Sequence, residues 1–109
     1  MAASEHALKI AKIAAQAAYD KKAEDIVLLD VSEHLVITDI FLIVSADNER
    51  QVGAVVDAIE AALDLIDVDP IRREGNREGR WVLLDYLILD MLHFLVLVHI
   101  NMHFYHRTT

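Results

Sequence analysis

An apolar run followed directly by an amphipathic helix is the sequence feature that most constrains the fold. Residues 40–44 are all apolar, have the length of a strand and are predicted to be buried on both faces. Shortly afterwards, apolar side chains recur every three or four positions, at Val52, Val55, Val56, Ile59, Leu63 and Ile66. That spacing predicts a helix with one buried face. A buried strand beside such a helix is typical of an α/β fold.

Local signals at both ends of this helix support the prediction. Asn48 and Gln51 have the spacing of a capping box, in which two side chains satisfy free backbone N–H groups of the first turn. At the other end, the helix is expected to stop before residues 67–70, because the residue that precedes Pro70 avoids helical geometry.

The rest of the chain predicts a similar alternation of elements. Ser4 can cap a first helix that runs to about Tyr19, with alanines, Leu8, Ile10 and Ile13 packed closely against a sheet. Strands are predicted over residues 25–31, 35–37 and 80–86, with a turn at 32–34. We therefore expect one domain over residues 1–109, with a single mixed sheet flanked by helices.

Composition narrows the class of function. The net charge of −8 argues against direct, non-specific binding to nucleic acid, which requires a basic surface. The chain has no cysteine, so a disulfide framework, a thiolate zinc site and a cysteine nucleophile are all excluded. Residues 81–100 have the length of a membrane span, but two aspartates would be costly there. A cytoplasmic protein without membrane contact is expected.

Positive charge is concentrated in one short segment. Residues 72–80 hold four arginines, and Trp81, the single tryptophan, follows them. The first seventy residues, by contrast, contain far more acidic than basic side chains. Arginine and tryptophan are the residue types most enriched at binding hot spots. The segment and the strand after it are therefore candidates for a docking site, although a solvated loop and a core tryptophan remain alternatives.

Five segments carry a resemblance to a known family. They are Asp-Val-Ser at 30–32, Ile-Thr-Asp at 37–39, Phe-Leu-Ile-Val-Ser at 41–45, Asn-Glu-Arg-Gln-Val at 48–52, and Arg-Glu-Gly at 73–75 followed by Arg-Trp-Val-Leu-Leu-Asp-Tyr at 80–86. In this combination and order, over about residues 5–86, the chain resembles the ribosomal silencing factors, the Iojap-like family.

The resemblance implies a fold and a function. It implies an α/β domain with nucleotidyltransferase-like topology but no catalytic site, cofactor or metal. It further implies a repressor that binds protein number fourteen of the large ribosomal subunit, blocks subunit joining and lowers translation in starvation or stationary phase. The residues placed at the contact are Arg73, Glu74, Arg77, Arg80, Trp81, Leu83, Asp85 and Tyr86.

The chain departs from the family pattern after Tyr86. The family continues with Gly-Asp, an apolar strand that ends in His, and an amphipathic helix. Here residues 87–94 replace that opening, and residues 95–100 match the strand only if several residues are inserted before it. The resemblance therefore says least about residues 87–109.

Other possibilities stay open at this stage. Asp67 and Asp69 form the one Asp-x-Asp pair, which a metal-dependent nucleotidyltransferase would use to hold metal ions. His99, His103 and His106 have the spacing of metal ligands on a helix, although exposed or core histidines are the simpler interpretation. Finally, the apolar carboxyl-terminal segment favours self-association, so a homodimeric interaction module without a ribosomal role is also possible.

Overall fold

The computed structural model describes residues 5–30, 40–88 and 92–101. In chain order the elements are α1 (Glu5–Asp20), β1 (Asp25–Asp30), β2 (Ile40–Ala46), α2 (Glu49–Asp64), β3 (Arg72–Gly75), β4 (Trp81–Ile88) and β5 (Leu92–Ile100). The strands form a single sheet in the order β1-β2-β5-β4-β3. Strands β2 and β5 are parallel and the other neighbours are antiparallel, so the predicted α/β fold with a mixed sheet is confirmed.

Both helices lie on the same face of the sheet. The buried side chains of the central strands alternate with less buried ones and form one cluster with the buried sides of α1 and α2. On β4 this face carries Leu84, Tyr86 and Ile88, and on β5 it carries Phe94, Val96 and Val98. The described structure is therefore a two-layer sandwich, with helices on one side of the sheet.

The alanines of α1 explain how the two helices fit together. Ala7, Ala11, Ala14 and Ala18 are fully buried, while Leu8 and Ile13 are only partly buried. Helix α1 contacts α2 more extensively than it contacts any single strand. The small side chains thus allow close helix–helix packing, in addition to the predicted packing against the sheet.

The start of α2 shows the predicted cap with one difference. Asn48 Oδ1 accepts a hydrogen bond of 2.9 Å from the N–H of Gln51, as the capping box requires. The Gln51 side chain, however, accepts from the N–H of Asp47 at 2.6 Å and donates to the carbonyls of Lys21 and Lys22. Gln51 therefore also fixes the end of α1 against the start of α2.

Two strand predictions were inaccurate. Strand β3 was expected to be part of a loop, but it pairs with β4. All four of its residues are exposed and are polar or Gly, so no hydrophobic alternation marks the strand in the sequence. Strand β2 was expected to be buried on both faces. Ile40, Leu42 and Val44 are buried beneath the helices, but Phe41 and Ile43 are only half-buried on the other face.

Two further predictions concern residues 32–37 and the apolar segment 81–100. The return strand at 35–37 and its turn at 32–34 lie outside the described residues. The apolar segment that was tested for a membrane span contains the antiparallel strands β4 and β5. In the part of the chain that the structure describes, neither helix is long and apolar enough to cross a membrane.

Candidate docking face

The sheet face opposite the two helices carries a continuous set of apolar side chains. We call this surface the open face, because no described helix covers it. Directly opposed residues of neighbouring strands share a face, so the strand register defines its members. They are Trp81, Leu83, Asp85 and Leu87 of β4, His93, Leu95, Leu97 and His99 of β5, Phe41 and Ile43 of β2, and Val27 and Leu29 of β1.

Several of these apolar side chains are exposed. Trp81 and Leu87 are each 37% exposed, and Val27 and Leu29 at the other end of the sheet are 46% and 43% exposed. Phe41, Ile43, Leu83, Leu95 and Leu97 are half-buried between them. A contiguous apolar surface with polar groups at its edge is typical of a protein-interaction site.

Asp85 is the buried charge on this face. It is only 6% exposed, and both carboxylate oxygens have partners. Oδ1 lies 2.8 Å from Nδ1 of His93, and Oδ2 lies 3.6 Å from Nη2 of Arg72. Because these groups contact both oxygens, Asp85 orients its neighbours in the described structure.

The arginine-rich segment is largely compensated within the molecule. Arg72 pairs with Glu74 at 3.2 Å, Arg73 with Glu60 of α2 at 2.8 Å, and Arg80 lies 3.9 Å from Glu49. Arg77 is exposed and has no ion pair among the described residues. Surface pairs of this kind contribute little to stability, so a partner can exchange them at low cost.

The turn between β3 and β4 fixes the position of Trp81. Asn76 Oδ1 accepts hydrogen bonds from the N–H groups of Arg80 at 2.7 Å and Trp81 at 3.3 Å. Gly79 has a φ of +74°, a backbone conformation that favours glycine. At Gly75 the reason differs, because a Cβ there would lie 2.8 Å from the carbonyl oxygen of Trp81.

Tyr86 lies on the helix-covered face. Its side chain is fully buried and stacks on Phe94 with ring centroids 5.9 Å apart. Burial raises the pKa of its hydroxyl above the ordinary value, and the hydroxyl oxygen has no hydrogen-bond partner among the described residues. Tyr86 therefore packs the core, and we do not include it among the contact residues proposed below. The site roles of Arg73, Glu74, Arg77, Arg80, Trp81, Leu83 and Asp85 stay predictions.

The residues of the alternative functions are not brought together among the described residues. Asp67 and Asp69 occupy an exposed turn after α2, where a side-chain hydrogen bond with Asp64 is the main cause of the raised pKa of Asp69. His99 lies on a strand, not on a helix, while His103 and His106 lie outside the described residues. Within the described ranges, no three His, Asp or Glu side chains are grouped as metal ligands.

A family comparison identifies the chain. Residues 4–106 match the model of the family described as ribosomal silencing factor during starvation. The chain belongs to this family. The match extends past Tyr86, so the divergent segment does not prevent the family model from covering nearly the whole sequence.

Individual family members show the same relationship. The chain is 41% identical to a ribosomal silencing factor of Bacillus subtilis over 76 residues, 70% of this chain and 64% of that protein. It is 34% identical to one from Chromobacterium violaceum over 77 residues, 71% of this chain and 63% of that protein. The matched part thus spans slightly less than two thirds of these relatives.

Solved structures agree with the fold. A crystal structure of a protein from Chromobacterium violaceum superimposes with a TM-score of 0.73 at 30% identity, covering 85% of this chain and 73% of that one. A crystal structure of a protein from Bacillus halodurans superimposes with a TM-score of 0.71 at 27% identity, covering 93% and 91%. The mixed sheet with its two helices is therefore the architecture of these proteins too.

Sequence reasoning missed two residues of the open face. Arg72 was noted as one of four arginines but not placed at the contact, and His93 was not placed there either. Strand alternation from Trp81 places Asp85 on the same face, but the pairing of β4 with β5 was needed to bring His93 beside it. That register could not be read from the sequence, because residues 87–94 do not follow the family pattern.

Proposed function

We propose that this ribosomal silencing factor represses translation by binding the large ribosomal subunit through its open face. A protein bound where the small subunit docks would block subunit joining by steric occupancy alone. Such a mechanism needs no catalytic group, cofactor or metal. Family membership supports a role of this kind in starvation, and the cytoplasm is where joining would be blocked.

One observation carries the proposal. Trp81 is 37% exposed on a largely apolar sheet face, next to the half-buried Leu83 and with charged side chains at the β3 edge. A large aromatic side chain surrounded by apolar contacts and a polar rim is the usual arrangement of a binding hot spot. We therefore place Trp81 and Leu83 at the centre of the contact.

The proposed partner is protein number fourteen of the large subunit, the partner implied by the family resemblance. A basic ribosomal protein suits a chain with a net charge of −8, because opposite fields accelerate encounter. Glu74 lies on the open-face side of β3, and its side chain is 48% exposed. It can accept a charge-assisted hydrogen bond at the rim by releasing Arg72.

In the absence of ribosomes, we propose that a second copy covers the open face. An apolar face of this extent favours self-association, and the same side chains would then be unavailable to the ribosome. Sedimentation equilibrium over a range of protein concentrations tests this idea. A monomer at all concentrations would contradict it without affecting the ribosomal proposal.

The primary test uses purified protein and separated ribosomal subunits. We expect the protein to co-sediment with the large subunit and not with the small one, and to reduce the fraction of joined ribosomes when both subunits are mixed. Binding to the small subunit alone, or binding without any reduction in joining, would contradict the mechanism.

Two leucines provide a matched pair for locating the contact. Leu87 is 37% exposed on the open face, whereas Leu65 is 86% exposed at the C-cap of α2, which lies on the opposite side of the sheet. Leu87→Ala should weaken binding to the large subunit and Leu65→Ala should not. Equal effects would show that general surface hydrophobicity, and not this face, controls association.

A further inference from the structure

The Asp85–His93 pair has a consequence for how the open face recognises a partner. An ionised carboxylate can only accept hydrogen bonds, so Nδ1 of His93 must carry the proton in the 2.8 Å contact with Oδ1 of Asp85. In the neutral ring, this leaves Nε2 as an acceptor. The buried Asp85 therefore fixes the tautomer of His93.

The free ring nitrogen is accessible. Nε2 of His93 has no hydrogen-bond partner among the described residues, and the side chain is 35% exposed. Among the described residues, the one buried side-chain polar atom without a partner is Oη of Tyr86. Since Nε2 of His93 also lacks a partner, it is not a buried atom and is in contact with solvent. An accessible acceptor in a fixed orientation is suited to receiving a donor from a docked protein.

The position of His93 extends the docking face. His93 lies opposite Leu87 in the β4–β5 register, and Trp81 lies opposite His99. Six residues of strand separate the two ends of the face by about 20 Å. One partner of ordinary interface size, about 800 Å² on each side, can cover both ends.

We propose that His93 is a contact residue whose Nε2 accepts a hydrogen bond from an N–H donor of the basic partner, with Asp85 as the positioning residue. The inference rests on the proposed function.

The charged groups around His93 form the network that orients its ring. Asp85 and Arg72 form the network beside it, and Glu74 pairs with Arg72 on the same face. His99 is the other titratable group of β5, at the far end of the strand. The two helices pack on the opposite face, and the residue that would follow the register of β2 next to His93 lies outside the description.

Two substitutions separate the contact from the positioning role. His93→Asn retains an N–H group near the position of Nδ1 for Asp85 but removes Nε2. His93→Gln places an amide near the position of Nε2 but leaves no group near the position of Nδ1 for Asp85. His6→Asn is the matched control, because His6 is exposed on α1, away from the open face.

The experiment measures the affinity of each variant for isolated large subunits in one buffer. His93→Asn should bind about fivefold more weakly than the wild type, which corresponds to one hydrogen bond of about 1 kcal/mol. His93→Gln should show a smaller loss, because its amide can take the place of Nε2. His6→Asn should match the wild type in affinity and in stability. His93→Asn should keep most of the wild-type stability, whereas His93→Gln, which removes the contact with Oδ1 of Asp85, should unfold at a lower denaturant concentration.

The outcomes distinguish the two proposals. If both His93 variants bind like the wild type, while Trp81→Ala fails to bind, the inference about His93 is wrong and the proposed function stands. If the wild type does not bind large subunits, both fail. Nitrogen-15 NMR of the free protein supplies an independent test, because a ring protonated at Nε2 and not at Nδ1 would overturn the tautomer assignment.

Discussion

The two faces of β4 differ in what their side chains do. Leu84 and Tyr86 are fully buried beneath the helices, whereas Trp81 and Leu87 on the other face are each 37% exposed. Both sets come from one run of eight residues that is largely apolar. Hydrophobicity alone therefore does not separate core from contact; the alternation of the strand does, once the side of the helices is known.

The difference predicts that substitutions on the two faces affect different measurements. On the helix-covered face they should change the free energy of unfolding, and on the open face they should mainly change binding. Asp85 is the exception, since it is a buried charge on the open face. The predictions below test this division, beginning with the largest expected effect.

Leu84→Ala should lower the free energy of unfolding by about 2–5 kcal/mol, because it leaves a cavity in a fully buried position. Leu83→Ala, the adjacent residue on the open face, is the matched control and should cost much less. Urea unfolding curves of both variants provide the measurement. Equal destabilisation would mean that Leu83 stabilises the folded chain as much as Leu84 does and would contradict the division between the two faces.

Asp85→Ala should lower the free energy of unfolding by about 1.5–3 kcal/mol, the usual range for hydrogen bonds to a charged group. It removes the acceptor of His93 and the ion-pair partner of Arg72. Arg77→Ala is the control, since it has no ion pair within the described structure. A stability like that of the wild type would show that the buried carboxylate has no positioning role.

Tyr86→Phe should raise the free energy of unfolding by about 1 kcal/mol, because it removes a buried hydroxyl that has no partner. It should also change the response to alkali. Burial raises the folded-state pKa of Tyr86, so the folded state disfavours the ionised phenolate. The stability linked to the neutral phenol is present below the ordinary pKa of 10.0 and is lost as the pH rises above it. The wild type should lose more stability than the variant above that pH, and parallel curves would contradict this.

Gly53→Ala should stabilise the protein by about 0.5–1 kcal/mol, the smallest effect in the series. Gly53 lies inside α2, and a Cβ there would meet no atom within 4 Å. Binding to the ribosome should be unaffected. Gly75→Ala is the contrasting variant and should be destabilising, because its Cβ would lie 2.8 Å from the carbonyl of Trp81.

The sequence predicted the parts of the fold that have strong periodicity. Helix α2, its Asn48 cap and five of the six predicted apolar-face residues follow directly from spacing, and they are confirmed. Ile66 is the exception, because it lies beyond the end of the helix and is 43% exposed. Strand β3 could not be predicted, because it contains no apolar residue and depends on pairing with β4. Local propensity is a weak guide where tertiary pairing defines an element.

The candidate site was predictable in part for a similar reason. Trp81 and Leu83 stood out by residue type and by the family resemblance, and alternation placed them on one face. The role of Tyr86 was misjudged because alternation alone does not say which face the helices cover. The contact of His93 with Asp85 depends on the register of two strands, and residues distant in sequence reveal such a contact only after folding.

The most direct test of the central claim is the affinity of Trp81→Ala for isolated large subunits, measured beside its unfolding curve. Truncation of a hot-spot tryptophan should cost about 2 kcal/mol or more, which is roughly a thirtyfold loss of affinity. We predict this loss together with a stability close to that of the wild type. Wild-type affinity in a folded Trp81→Ala variant would contradict the assignment of the open face as the ribosome-binding surface.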